Sequence, residues 1–122
     1  MILVDTSIWI DHGRRRDARL VEWLIEGLVL GHPFVQGELA CGQMARRGEV
    51  LGLFDQLPPA TLVSHLELLH FVDRHQLMGR GLGWVDMHLL ASTMASRATI
   101  ATRDARLARA ADAIGVAARR SG

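Results

Sequence analysis

Short runs of branched apolar residues alternate along the chain with longer stretches in which apolar positions recur every three or four residues. Ile2 to Val4 is the first such run, closed by Asp5-Thr6-Ser7, whose side chains suit a turn from strand into helix. From Arg19 to Leu30, the residues Leu20, Val21, Leu24, Ile25 and Leu28 fall at helical spacing with Glu22 and Glu26 opposite. This predicts an amphipathic helix giving way to a short strand around Leu28 to His32. Pro33 suits a first helical position, so a helix is expected over Phe34 to Arg47, ended by Gly48. A short helix over Glu49 to Leu57 is stopped by Pro58-Pro59, and "ATLVS" after it predicts a strand. His65 to Met78 predicts a helix, "GRGLG" a loop, and Trp84 to about Arg97 another helix. The strand "TIAT", an Ala-rich helix from Ala105 to Ile114 and a short strand near Val116 complete the pattern.

Strand and helix in alternation are the signature of an α/β fold with a mostly parallel sheet, and a sheet covered on both faces explains why its strands are apolar throughout. No internal repeat or linker-like tract interrupts the alternation, so one domain over residues 1 to 122 is expected. The single cysteine, Cys41, excludes an internal disulfide framework and a cysteine-based zinc cluster, and suits the cytoplasm. No apolar run approaches the ~20 residues that span a bilayer, and Asp5 interrupts the first run before it forms a signal-peptide core. A net charge of +1 does not indicate nucleic-acid binding by bulk charge. The positive charge is concentrated in Arg14 to Arg16, Arg46-Arg47 and Arg119-Arg120. The first two runs are candidates for phosphate contact.

Four acids stand out from the solvated ones. On a helical wheel Glu38 falls among Phe34, Cys41, Gly42 and Ala45, and Asp86 falls between Leu89 and Leu90, so both are expected to point inward. Asp5 and Asp104 each close an apolar run, and in a parallel sheet the carboxyl ends of strands gather on one edge, where ligands bind. Unit charges ~4 Å apart at an effective dielectric of ~20 repel by roughly 4 kcal/mol. With few basic partners at these positions, shared protons or a divalent cation must compensate, and an all-oxygen set favours Mg²⁺ or Mn²⁺. Such ions suit phosphodiester hydrolysis. Thr6 and Ser7 are candidates either to orient Asp5 or a metal-bound water through their hydroxyls, or to cap the first helix.

"MILVDTSIWID", "FVQGELACG", "GWVDMHLLAS" and "TIATRDARL" resemble, in order and spacing, the motifs of PIN-domain ribonucleases, specifically the VapC toxins of prokaryotic toxin–antitoxin systems. The resemblance spans nearly the whole chain and assigns Asp5, Glu38, Asp86 and Asp104 to an acidic metal site. It implies a three-layer α/β/α sandwich and Mg²⁺- or Mn²⁺-dependent endoribonuclease activity that leaves a 5′-phosphate and a 3′-hydroxyl. It further implies a homodimer and inhibition by a VapB-type antitoxin, with a toxin–antitoxin hetero-oligomer as the inhibited form.

Other features carry less. His65, His70 and His75 are spread around their helix without an HExxH pattern, and Gly79, Gly81 and Gly83 lack the context of a nucleotide loop. Trp9, Trp23 and Trp84 are expected in the core or an interface rather than in the site. Two rival readings remain. One is a non-catalytic α/β interaction module whose acids are caps, which metal binding would separate from the nuclease. The other is a phosphoacceptor receiver domain, which wants a lysine that this chain lacks.

Overall fold

A computed structural model describes residues 1–118; the Arg119-Arg120 run lies outside the described residues. Three parallel strands form the sheet in the order β2-β1-β3: β1 (Ile2–Val4), β2 (Val29–Leu30) and β3 (Thr99–Ala101). Ile2 pairs with Val29 on one side and Thr99 on the other. Consecutive strand residues point to opposite faces, yet Leu3 and Val4, like Val29 and Leu30, are all buried. Both faces are therefore covered by helices, as the uninterrupted apolar runs predict, and the result is an α/β sandwich.

Around the sheet run α1 (Thr6–Arg14), α2 (Ala18–Ile25), α3 (Pro33–Cys41), α4 (Arg47–Leu53) with a 3-10 turn over Phe54–Gln56, α5 (His65–Arg74), α6 (Trp84–Ala95) and α7 (Ala105–Ala113). The helix α6 is buried on every side from Met87 to Thr93, so it is the central helix, packed on α5, β1 and β3. Trp9 is fully buried against Phe54, 5.1 Å between ring centroids, as expected of a core tryptophan.

Four helices end in the same way, and this corrects several expected boundaries. After α2, α5, α6 and α7 the chain turns through a left-handed residue, respectively Gly27, Gln76, Arg97 and Gly115. In each case that residue and the next donate back to the last turn, as in Arg97 N–H to Met94 O and Ala98 N–H to Thr93 O. These paired bonds satisfy helix-end carbonyls and reverse the chain. They stop α2 before Leu28 and α5 before Met78, and they deliver Leu28 and Ala98 to the starts of β2 and β3. Likewise α3 ends at Cys41 with Gly42 extended, not at Gly48, which lies inside α4; Arg47 donates to Ala40 O across the break.

The expected strand "ATLVS" does not form. Pro58 and Pro59 have no N–H to offer a ladder, so the edge contributes one bridge, Gly31 to Pro59, and Thr61 N–H then turns to Ser96 Oγ. The strand near Val116 is also reduced to a single bridge, between Ile100 and Ala117.

One helix start bears on the site. His32 caps α3: its Nδ1 accepts from Phe34 N–H at 3.0 Å, so the proton of the neutral ring sits on Nε2 and points to Ser92 Oγ at 3.0 Å. Burial first, and then the charge of His88, lower its pKa to about 4. Between about 4 and 6.5 the unfolded chain binds a proton here that the folded chain refuses, so stability contributed by neutral His32 is complete above 6.5 and is lost as pH falls towards 4. His12 and His88 are lowered as well and add with the same sign. We expect the urea midpoint to fall from pH 7 to pH 5, with His32 contributing at most about 1.4 kcal/mol per pH unit. Replacement by Asn, which keeps a capping oxygen, should flatten that slope; an unchanged slope in His32→Asn would show that the proton is taken elsewhere.

Candidate functional site

The carboxyl ends of β1 and β3 lie side by side, joined by Asp5 N–H donating to Ala101 O at 2.9 Å. Asp5 stands at the start of α1, 7% exposed, where the positive end of the helix favours an anion. Its Oδ2 accepts from Ser7 Oγ at 2.9 Å and from Thr102 Oγ1 at 2.7 Å. Both hydroxyl protons are thereby committed, and the hydroxyl oxygens in turn accept from the backbone: Arg103 N–H to Ser7 Oγ, and Asp104 N–H to Thr102 Oγ1, each at 3.0 Å. One carboxylate oxygen therefore ties the start of α1 to the turn between β3 and α7.

Asp104 caps α7, its Oδ1 accepting from Arg106 N–H at 2.9 Å and Leu107 N–H at 3.1 Å. Asp86 sits in the first turn of α6, and its Oδ2 accepts from Gly83 N–H at 3.0 Å. Burial raises the pKa of Asp86 most; Gly83 N–H opposes this, and the charges of Asp5 and Asp104 raise it further. The three aspartates thus share one electrostatic neighbourhood at the strand ends. The turn before α6 depends on Gly81, at a φ of 75°, where an added Cβ would also meet the side chain of Arg106 at 3.1 Å.

Glu38 differs from expectation. The face of α3 turned to the core is that of Val35 and Leu39, and Glu38 is exposed on the side of Phe34 and Cys41. Phe34, itself 39% exposed, faces solvent rather than the interior, so a wheel centred on it places the buried face wrongly. Glu38 still reaches the site: Thr6 Oγ1 donates to its Oε1 at 2.7 Å. Thr6 therefore serves Glu38, and Ser7 is the residue that orients Asp5. Thr102 went unnoticed in the sequence; its signal was a hydroxyl two positions before Asp104.

No basic side chain neutralises these charges. Among the described residues none of the four acids has an ion-pair partner. Arg103, the nearest basic neighbour in the chain, turns away to Asp11 at 2.9 Å and Asp17 at 2.6 Å. Arg14 to Arg16 lie at the far end of α1, about 13 Å along the helix from Asp5, and Arg47 is engaged with Ala40 O. Each acid commits one oxygen to the bonds described above, and among the described residues the other carries no hydrogen bond. All-oxygen donors in this state fit a hard divalent cation. As they stand, no three Asp, Glu, His or Cys side chains among the described residues form a group that could hold a metal ion.

The PIN domain family pattern matches residues 2–113. The chain is 48% identical to "Ribonuclease VapC32" of Mycobacterium tuberculosis, from strain CDC 1551 / Oshkosh and from strain ATCC 25618 / H37Rv, over 118 residues that cover 96% of this chain and 95% of each relative. No solved structure matches the chain.

Because its pKa is raised, ionised Asp86 costs the fold stability that is present at low pH and lost as pH rises through its titration. Asn keeps an oxygen for Gly83 N–H and carries no charge. We expect Asp86→Asn to melt about 2–5 °C higher than wild type in EDTA at neutral pH, on the order of 1 kcal/mol, with the gain vanishing in acid. A melting point at or below that of wild type at neutral pH would count against the shared neighbourhood of charges.

Proposed function

The chain belongs to the PIN-domain family, and on that premise we propose that it is a VapC-type ribonuclease, the toxin of a toxin–antitoxin pair, which hydrolyses RNA phosphodiester bonds with Mg²⁺ or Mn²⁺. The observation that carries this reading is the set of carboxylates at the strand ends, mutually repelling and without a cationic partner among the described residues. A bound divalent ion would supply the missing positive charge and lower the pKa of water at the scissile phosphate.

The chain's own residues set the stage for that chemistry. Asp5, Glu38, Asp86 and Asp104 would hold the ion through their uncommitted oxygens. Ser7 and Thr102 keep Asp5 aimed by holding its Oδ2, and Thr6 does the same for Glu38. RNA is the proposed substrate and a VapB-type antitoxin the proposed inhibitor. A homodimer is supported by Leu66 and Leu69 of α5, 62% and 42% exposed, and a toxin–antitoxin hetero-oligomer would follow. The cytoplasm is the proposed location; among the described residues no helix is long and apolar enough to cross a membrane.

Two measurements test this reading. Asp5→Asn and Glu38→Gln preserve the hydroxyl contacts, so both should fold while cleaving mixed-sequence RNA at least about 100-fold more slowly; EDTA should abolish wild-type cleavage. Mg²⁺ or Mn²⁺ should raise the wild-type melting point by mass action, equivalent to about 2.7 kcal/mol at a hundredfold excess over the dissociation constant, and leave Asp86→Asn unmoved. A wild-type protein that cuts no RNA and whose melting point ignores both metals would favour the interaction module instead.

A further inference from the structure

Beside the carboxylates runs a chain of rings drawn from three helices. His32 stands 5.3 Å from Phe34, Phe34 4.7 Å from His88, His88 5.2 Å from Trp84, and Trp84 5.3 Å from His65, centroid to centroid. Buried His88 meets Phe34 at 75° and Trp84 at 86°, so one imidazole fixes both neighbours edge to face. The two rings held this way remain open to solvent, Phe34 at 39% and Trp84 at 44%. The other tryptophans differ: Trp9 is fully buried, and Trp23 is covered by the Arg19 guanidinium at 5.9 Å.

Resting on the nuclease reading above, we propose that Phe34 and Trp84 form a stacking platform for unpaired bases of the RNA substrate. Phe34 lies one helical turn before Glu38 on the same exposed face of α3, so their side chains are neighbours. Trp84 opens α6 two residues before Asp86. Charge gives the reason for a platform here. The strand-end carboxylates repel phosphates, the arginine run of α1 sits at the far end of its helix, and Arg103 is held by Asp11 and Asp17. Without a bound ion the carboxylates weaken any Coulombic attraction of RNA to this edge, and stacking on rigid rings adds a contribution that does not depend on charge.

The test is binding, read by fluorescence anisotropy in EDTA so that no cleavage intervenes. The probes are a short single-stranded RNA of mixed sequence and an abasic ribose-phosphate chain of equal length. Wild type should bind the base-bearing chain more tightly. Trp84→Leu and Phe34→Leu should each weaken that binding about 5- to 100-fold and leave the abasic chain and the salt dependence unchanged, whereas Trp84→Phe should retain most of the wild-type affinity. Equal wild-type affinity for the two probes would overturn the proposal without reference to any variant. So would leucine variants that bind as wild type does while wild type still cleaves RNA, an outcome that leaves the nuclease reading standing. A wild type that neither binds nor cleaves RNA would remove both. A lower sedimentation mass for Trp84→Leu would assign the ring to a protein–protein interface and overturn the platform.

Discussion

The strand-end edge depends on one carboxylate oxygen, Asp5 Oδ2. It accepts from Ser7 and Thr102, and the same two hydroxyl oxygens receive the amides of Arg103 and Asp104. A nearly buried charge held in this way is satisfied by hydrogen bonds and a helix terminus rather than by a basic side chain. The arrangement sets the direction of Asp5 and, through the Thr102 relay, the position from which Asp104 enters α7. Any side chain at position 7 or 102 without a hydroxyl would leave that oxygen short of a donor and loosen two elements together.

Such a site works against stability. Asp86 carries a charge that its surroundings disfavour, and the polypeptide places two further aspartates where they increase the penalty. The fold tolerates this because α6 is anchored elsewhere: Met87 to Thr93 are buried all round, and Thr93 Oγ1 closes onto Leu89 O at 2.6 Å. A rigid apolar helix thus presents one unfavourable carboxylate at its first turn. The same division of labour recurs at α3, where Val35 and Leu39 face the core and Glu38 and Phe34 face solvent.

Arg103 is one basic side chain that is kept out. Placed by sequence between Thr102 and Asp104, it would neutralise the cluster if it turned inward. Asp11 on α1 and Asp17 at the start of α2 hold it outward instead. Asp17 has its own reason to stay ionised: burial works against its charge, but Leu20 N–H and the Arg103 guanidinium outweigh this and keep its pKa low. The negative character of the strand ends is therefore maintained by two acids outside the site.

Much was legible in the residues alone. Apolar periodicity and turn residues located β1, β3 and all the major helices, because those signals are local. Four ordered motifs identified the family and singled out Asp5, Glu38, Asp86 and Asp104. Where periodicity misled, the reason was also local chemistry overridden at a distance: "ATLVS" has strand composition, but the prolines before it and Ser96 across the fold draw it off the sheet. Only the tertiary structure decided which face of α3 is buried, that Thr102 completes the Asp5 bonding, that Arg103 is diverted, and that Phe34, His88 and Trp84 stand ring to ring. Each of these joins residues far apart in the chain, and a one-dimensional pattern carries no record of such a meeting until packing brings it about.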